Sequence, residues 1–133
     1  MRNRPTLTNA DTQKMMAACK AEAAKHKWNV AIAIVDYSGT LLQFERLDGA
    51  AVPSCDVSIG KARMAGLTGR ASKFFEDRIK ERPAFVNFPH GLAIQGGVPI
   101  LYEGECVGGI GVSGVQSHED EQVASAGVAA LAS

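Results

Sequence analysis

Gly91–Gly114 reads GLAIQGGVPILYEGECVGGIGVSG, and the fold turns on this stretch. Two apolar arms flank Glu103-Gly104, a turn-like pair whose glycine can take a positive φ cheaply, so the segment reads as a β-hairpin. Glycine is dense in both arms: Gly96-Gly97 interrupts the first, and Gly108-Gly109, Gly111 and Gly114 run through the second. Because glycine weakens a strand, such density marks bulges, close approach of another backbone, or a ligand lying against bare main chain. A twisted core hairpin without any ligand is the plainer alternative. Gly97 and Gly109 are expected where a Cβ would strike a helix or ligand, or at positive φ. Pro99 has no N–H to give a ladder, which assigns its arm to a sheet edge or a bulge.

Upstream lies a second hairpin. Trp28–Val35 is apolar on both faces, with Val30, Ile32 and Ile34 on one and Ala31, Ala33 and Val35 on the other. A strand lacking a polar face is central and covered on both sides, and the small alanine face lets a helix pack close. Asp36-Tyr37-Ser38-Gly39 supplies the turn, and Thr40–Leu47 returns. Helices fill the remainder. Thr8-Asn9-Ala10-Asp11 is a capping box opening a helix to about Lys25, and Pro53-Ser54 begins another to about Thr68. Ser72–Arg82 reads as a shorter helix, and Ala84–His90 (AFVNFPH) as irregular. Ser117-x-x-Asp120 spells a second capping box, with Glu119, Asp120 and Glu121 at the positive end of the helix dipole. Two hairpins with intervening and terminal helices make an α+β fold around an antiparallel sheet, in one domain spanning residues 1–133.

Composition narrows the function. The 133 residues carry 46% hydrophobic and 21% charged residues and a formal net charge of zero. No basic excess exists to neutralise phosphates, so nucleic acid is not an expected partner. Low self-repulsion leaves homo-oligomerisation unopposed. No apolar run approaches membrane-spanning length, and Met1–Gln13 has no apolar segment of a secretory signal, so the expected location is the cytoplasm without a membrane partner. Cys19, Cys55 and Cys106 are far apart and lack zinc spacing, so they read as small hydrophobes.

Gly109–Gly114 spells GxGxxG, but a dinucleotide fold needs a further strand and an acid about 20 residues later, and the chain ends at Ser133. Chemistry-bearing residues are sparse: Asp36, Arg46, Asp48, Ser58, Lys61, His90 and Ser113. Lys61, on a helix face of small residues, is either a solvated lysine or a group that binds a carboxylate or acts as a base. His26 and His118 each sit at a helix terminus, which gives a histidine a structural explanation, for His26 the dipole at the helix end. His90 follows an aromatic-proline loop and precedes the glycine-rich arm, which makes it the candidate functional histidine.

The order of these elements, with Val35–Leu41, Phe44–Ala50, Ser58–Ala62, Gly96–Ile100, Glu105–Gly114 and Asp120-Glu121 followed by Val123-Ala124 and Gly127, resembles the GlcG/HbpS family, which includes the PduO-type C-terminal domain. The resemblance implies a profilin-like α/β/α layout with a five-stranded antiparallel sheet, assembled into oligomers. The fifth strand would come from Ala84–Leu92 or from a split of the glycine-rich arm. It also implies a small-ligand-binding protein, with haem binding or handling the leading expectation. A cytoplasmic lyase or isomerase acting on a carboxylate or aromatic metabolite is the alternative, and a structural oligomer accompanying an enzyme the third. His90 is the expected haem-iron ligand or proton carrier, with Lys61 the other catalytic candidate. Arg46, Ser58, Lys61, Phe88, Gly96, Gly97, Gly109 and Ser113 are the expected ligand contacts, and Phe85 and Phe88 the apolar wall.

Overall fold

Thr8 caps the first helix as the sequence predicts. Its Oγ1 accepts from the Asp11 backbone N–H, and the Asp11 carboxylate accepts in return from the Thr8 N–H. In the computed structural model, which describes residues 1–132, this helix, α1, runs Asn9–His26. It is followed by strands β1 (Ala31–Asp36) and β2 (Leu41–Arg46), helices α2 (Ser54–Thr68) and α3 (Ser72–Glu76), and a 3-10 turn over Pro83–Asn87. Strands β3 (Gly97–Tyr102) and β4 (Glu105–Ser113) and helix α4 (Ser117–Ala132) complete the chain. The sheet is antiparallel in the order β2-β1-β4-β3, with helices on both faces.

The alternation read in β1 decides the layers. Ile32 and Ile34 face α1 and α4, sharing a core with Met15, Cys19, Ile100, Ile110, Val112 and Val123. Each such isoleucine, fully buried, contributes about 1.5–3 kcal/mol. Ala33 and Val35 face α2 and meet Ala62. Burial pushes the Cys19 thiol up to about 12, so it is an inert core residue, while Cys55 and Cys106 are half-buried.

The hairpin of Gly91–Gly114 forms with Glu103 at φ 49 and Gly104 at φ 79, the two positive values of a type I′ turn. Pro99 lies on the edge strand β3, as its missing N–H requires. The glycines serve the close approach of a helix. Ala33, Gly111 and Gly97 pair across three strands, as do Val35, Gly109 and Pro99. A Cβ on Gly111 would overlap Ser58 O, one on Gly109 would crowd Ala62 O and Gly66 N, and one on Gly97 would overlap Lys61 O. Thus α2 sits with its own backbone against the sheet.

Three expectations change. Among the described residues the sheet has four strands rather than five. The Ala84–Leu92 region cannot add one, because Pro83–Asn87 coils into the 3-10 turn and the Leu92 N–H is spent on Gly60 O of α2. The predicted helix over Ser72–Arg82 stops at Glu76, and hydrogen-bonded turns continue to Arg82. The Ser117/Asp120 capping box does not form: Glu119 takes that role by accepting from the Gln116 N–H, which frees Asp120 to turn inward. Among the described residues, no helix is long and apolar enough to cross a membrane.

Candidate functional site

Most of the expected site residues are consumed by the fold. Lys61 is only 2% exposed; its Nζ donates to Val112 O at 3.0 Å and pairs with Asp120 Oδ2 at 3.1 Å. Asp120, equally buried, also accepts from the Val115 N–H through Oδ1. Burial raises the Asp120 pKa above the ordinary aspartate value, against the opposing pull of Lys61. Lys61 is therefore neither solvated nor open to a ligand.

The others divide similarly. Ser58 is buried and donates to Cys55 O within its own helix. Arg46 closes the loop after β2 by donating from Nε and a terminal nitrogen to Ala50 O. Ser113 ends β4 opposite Ala31. Gly96, at φ 135, has Lys61 Nζ and Val112 O where a Cβ would stand. Gly96, Gly97 and Gly109 thus give way to protein atoms. Phe85 and Phe88 pack on Phe75, Phe85 edge-on at 5.2 Å between centroids and Phe88 at 6.1 Å, in a satellite core with Met64 and Ala93. They plug the core edge.

Of the expected residues, His90 lines a cleft. The cleft has a volume of about 400 Å³, within the range of small-molecule sites, and is lined by Ser38, Gly39, Thr40, Leu41, Arg63, Leu67 and His90. His90 is exposed and held in the left-handed region at φ 64, a conformation that costs an L-residue about 1–2 kcal/mol. The opposite rim is the β1–β2 turn. Asp36 Oδ1 accepts there from the Ser38 N–H at 2.9 Å, the Ser38 hydroxyl at 2.7 Å and the Thr40 N–H at 3.0 Å. Oδ1 is thereby absorbed into the turn, and the formally charged side chain lining the cleft is the cation Arg63.

Arg63 escaped the sequence reading altogether. It projects from α2 and donates from Nε to Gly39 O at 3.1 Å. Gly39 is in the left-handed region at φ 81, and no spacing in the sequence announces the contact. A second cleft, of about 360 Å³, lies between the N-terminal segment, the β3–β4 hairpin and the end of α4. Its one carboxylate, Asp11, is spent on the helix cap, so it offers mainly shape.

A four-stranded antiparallel sheet covered by helices, with an open basic cleft beside α2, defines a small α+β domain with a ligand-sized site. The chain belongs to the HbpS-like family, described as "Haem degrading protein HbpS-like", whose model matches residues 7–129. It is 38% identical over 114 residues to Protein GlcG of Escherichia coli K12, covering 85% of each chain. Among solved structures, a double mutant of Streptomyces reticuli HbpS superposes with a TM-score of 0.92 at 33% identity, covering 97% of this chain and 89% of that one. Klebsiella pneumoniae protein ORFY gives a TM-score of 0.95 at 25% identity, covering 100% and 95%.

Proposed function

We propose that the protein binds haem, or a tetrapyrrole like it, at the His90 cleft. The observation that carries this reading is His90 itself: an exposed imidazole on a strained backbone, lining a ligand-sized cleft. The description of the matching family points the same way. The residues fit the group. A single imidazole can ligate haem iron, Leu41 and Leu67 offer apolar surface, and Arg63 supplies a cation. Bound haem would supply the redox and oxygen chemistry of its iron. The chain's own residues bind and orient it, and the open cleft holds a porphyrin without engulfing it.

The reading takes the protein as a cytoplasmic homo-oligomer. Leu42 on β2, and Leu101 and Tyr102 on β3, leave apolar surface on both edge strands for another copy to cover. Hemin titration tests the site, with light scattering on the same samples reading the mass. A Soret band should develop with wild type and be lost in His90→Gly at unchanged thermal stability or better. A band of equal intensity and affinity in His90→Gly removes the proposal. A second reading, a lyase or isomerase acting on a carboxylate, is favoured by one further feature: a cation and a potential proton carrier line the same cleft.

A further inference from the structure

Arg63 is half-buried, yet among the described residues no carboxylate stands within ion-pair distance of it. An arginine on a cleft wall with no acid beside it keeps its terminal N–H donors for whatever the cleft holds, water or ligand. Asp36, in the turn on the opposite rim, is engaged through Oδ1 by Ser38 and Thr40. The guanidinium is also held in place: Nε is fixed on Gly39 O, which limits the swing of the remaining N–H donors on the cleft wall. A planar fork tethered at one nitrogen keeps donors in the geometry that suits a carboxylate.

We infer that Arg63 is the carboxylate anchor of this cleft, so that the ligand class is an apolar or aromatic body carrying a free carboxylate. The inference rests on the reading of the cleft as the ligand site but does not require iron. The carboxylate lies against Arg63, and the apolar body lies along Leu41 and Leu67 towards His90. The Asp36 turn is then part of the site, since it sets the Gly39 carbonyl that holds Arg63.

Metal-free protoporphyrin IX, compared with its dimethyl ester, separates carboxylate recognition from iron ligation. Wild type should bind the free acid about tenfold or more tightly than the ester, the loss expected on removing a charge-assisted hydrogen bond. Arg63→Gln should erase that preference, and Arg63→Lys should restore it only in part. The thermal stability of each variant, measured without ligand, identifies any that fail to fold. Equal affinity for acid and ester in wild type, or an unaltered preference in folded Arg63→Gln, overturns the inference. A second arm uses 1-naphthoate against 1-naphthamide at millimolar concentration, read as a shift in melting temperature. If no porphyrin binds but naphthoate stabilises wild type and not Arg63→Gln, the haem reading fails and the anchor stands. If naphthoate and porphyrin are both without effect on wild type, the anchor falls too.

Discussion

Lys61 and Arg63 stand two residues apart on one helix and meet opposite fates. Residues spaced i,i+2 point to different sides of a helix, so one turns under the sheet and the other towards the cleft. Lys61 is buried with Asp120 and Val112 O, its charge answered inside the protein. Arg63 stays half-buried, donating to a carbonyl and, among the described residues, with no acid beside it. The first region is closed and rigid: glycine-lined, with a helix backbone on bare strand. The second is open, carries a non-glycine residue at positive φ, and leaves charge unanswered. A cation answered by an acid inside the protein belongs to the fold here, and a cation facing an open cleft belongs to the candidate site.

The sharpest way to break that contrast is to leave the closed region unsatisfied. Lys61→Met should cost about 3–5 kcal/mol in denaturant unfolding, because it strands the Asp120 carboxylate in the interior. Adding Asp120→Asn should recover most of the loss while keeping an oxygen for the Val115 N–H. If the double variant is no more stable than the single, the pair is not what Lys61 is for. The cost should also depend on pH. Burial already raises the Asp120 pKa, and removing Lys61 deletes an opposing influence. A folded-state pKa above the unfolded value favours the protonated folded form, a contribution present below about pH 4 and lost as pH rises through the folded value. The Lys61→Met deficit should therefore be largest near neutrality and shrink on acidification.

A somewhat smaller effect tests the seam between helix and sheet. Gly111→Ala should destabilise by about 3 kcal/mol, since its methyl would overlap Ser58 O and crowd Ala62 N, both backbone atoms that move only with the helix. Gly104→Ala, where the space is open and only the positive φ objects, should cost about 1 kcal/mol. Equal losses at the two positions would mean that close packing of α2 is not the reason for the glycines.

The smallest effect has the opposite sign and belongs to the open region. His90→Gly should raise stability by about 1 kcal/mol by relieving the left-handed backbone, while abolishing ligand binding. A loss of stability in this variant would show that the imidazole is held by the fold rather than poised for a ligand.

Much of the architecture was legible because it rests on local rules. The two-faced β1, the Thr8 cap, the Glu103-Gly104 turn and the edge position of Pro99 each follow from the period, capping chemistry or missing donor of a few adjacent residues. The readings that changed were those in which one residue could serve two masters. Asp120 looked like a capping acid because Ser117 stands three residues before it, yet Glu119 was as well placed to reach back and did. The glycines announced a close neighbour without saying whether helix or ligand, and the line Ser58, Ala62, Gly66 of α2 answers that.

The candidate site was least legible of all. His90 could be picked out by its irregular surroundings, whereas Arg63 could not, since its role depends on a carbonyl 24 residues away. Sequence by itself determined the element order, the central strand with two apolar faces, and the need for bare backbone at the second hairpin, because periodicity, capping and φ preference act over a few residues. Only the tertiary structure decided that Lys61 would find Asp120, 59 residues away, and that Arg63 would find no acid among the described residues. The physical reason is that burial and charge pairing depend on which side chains distant segments bring together, and a linear chain records neither.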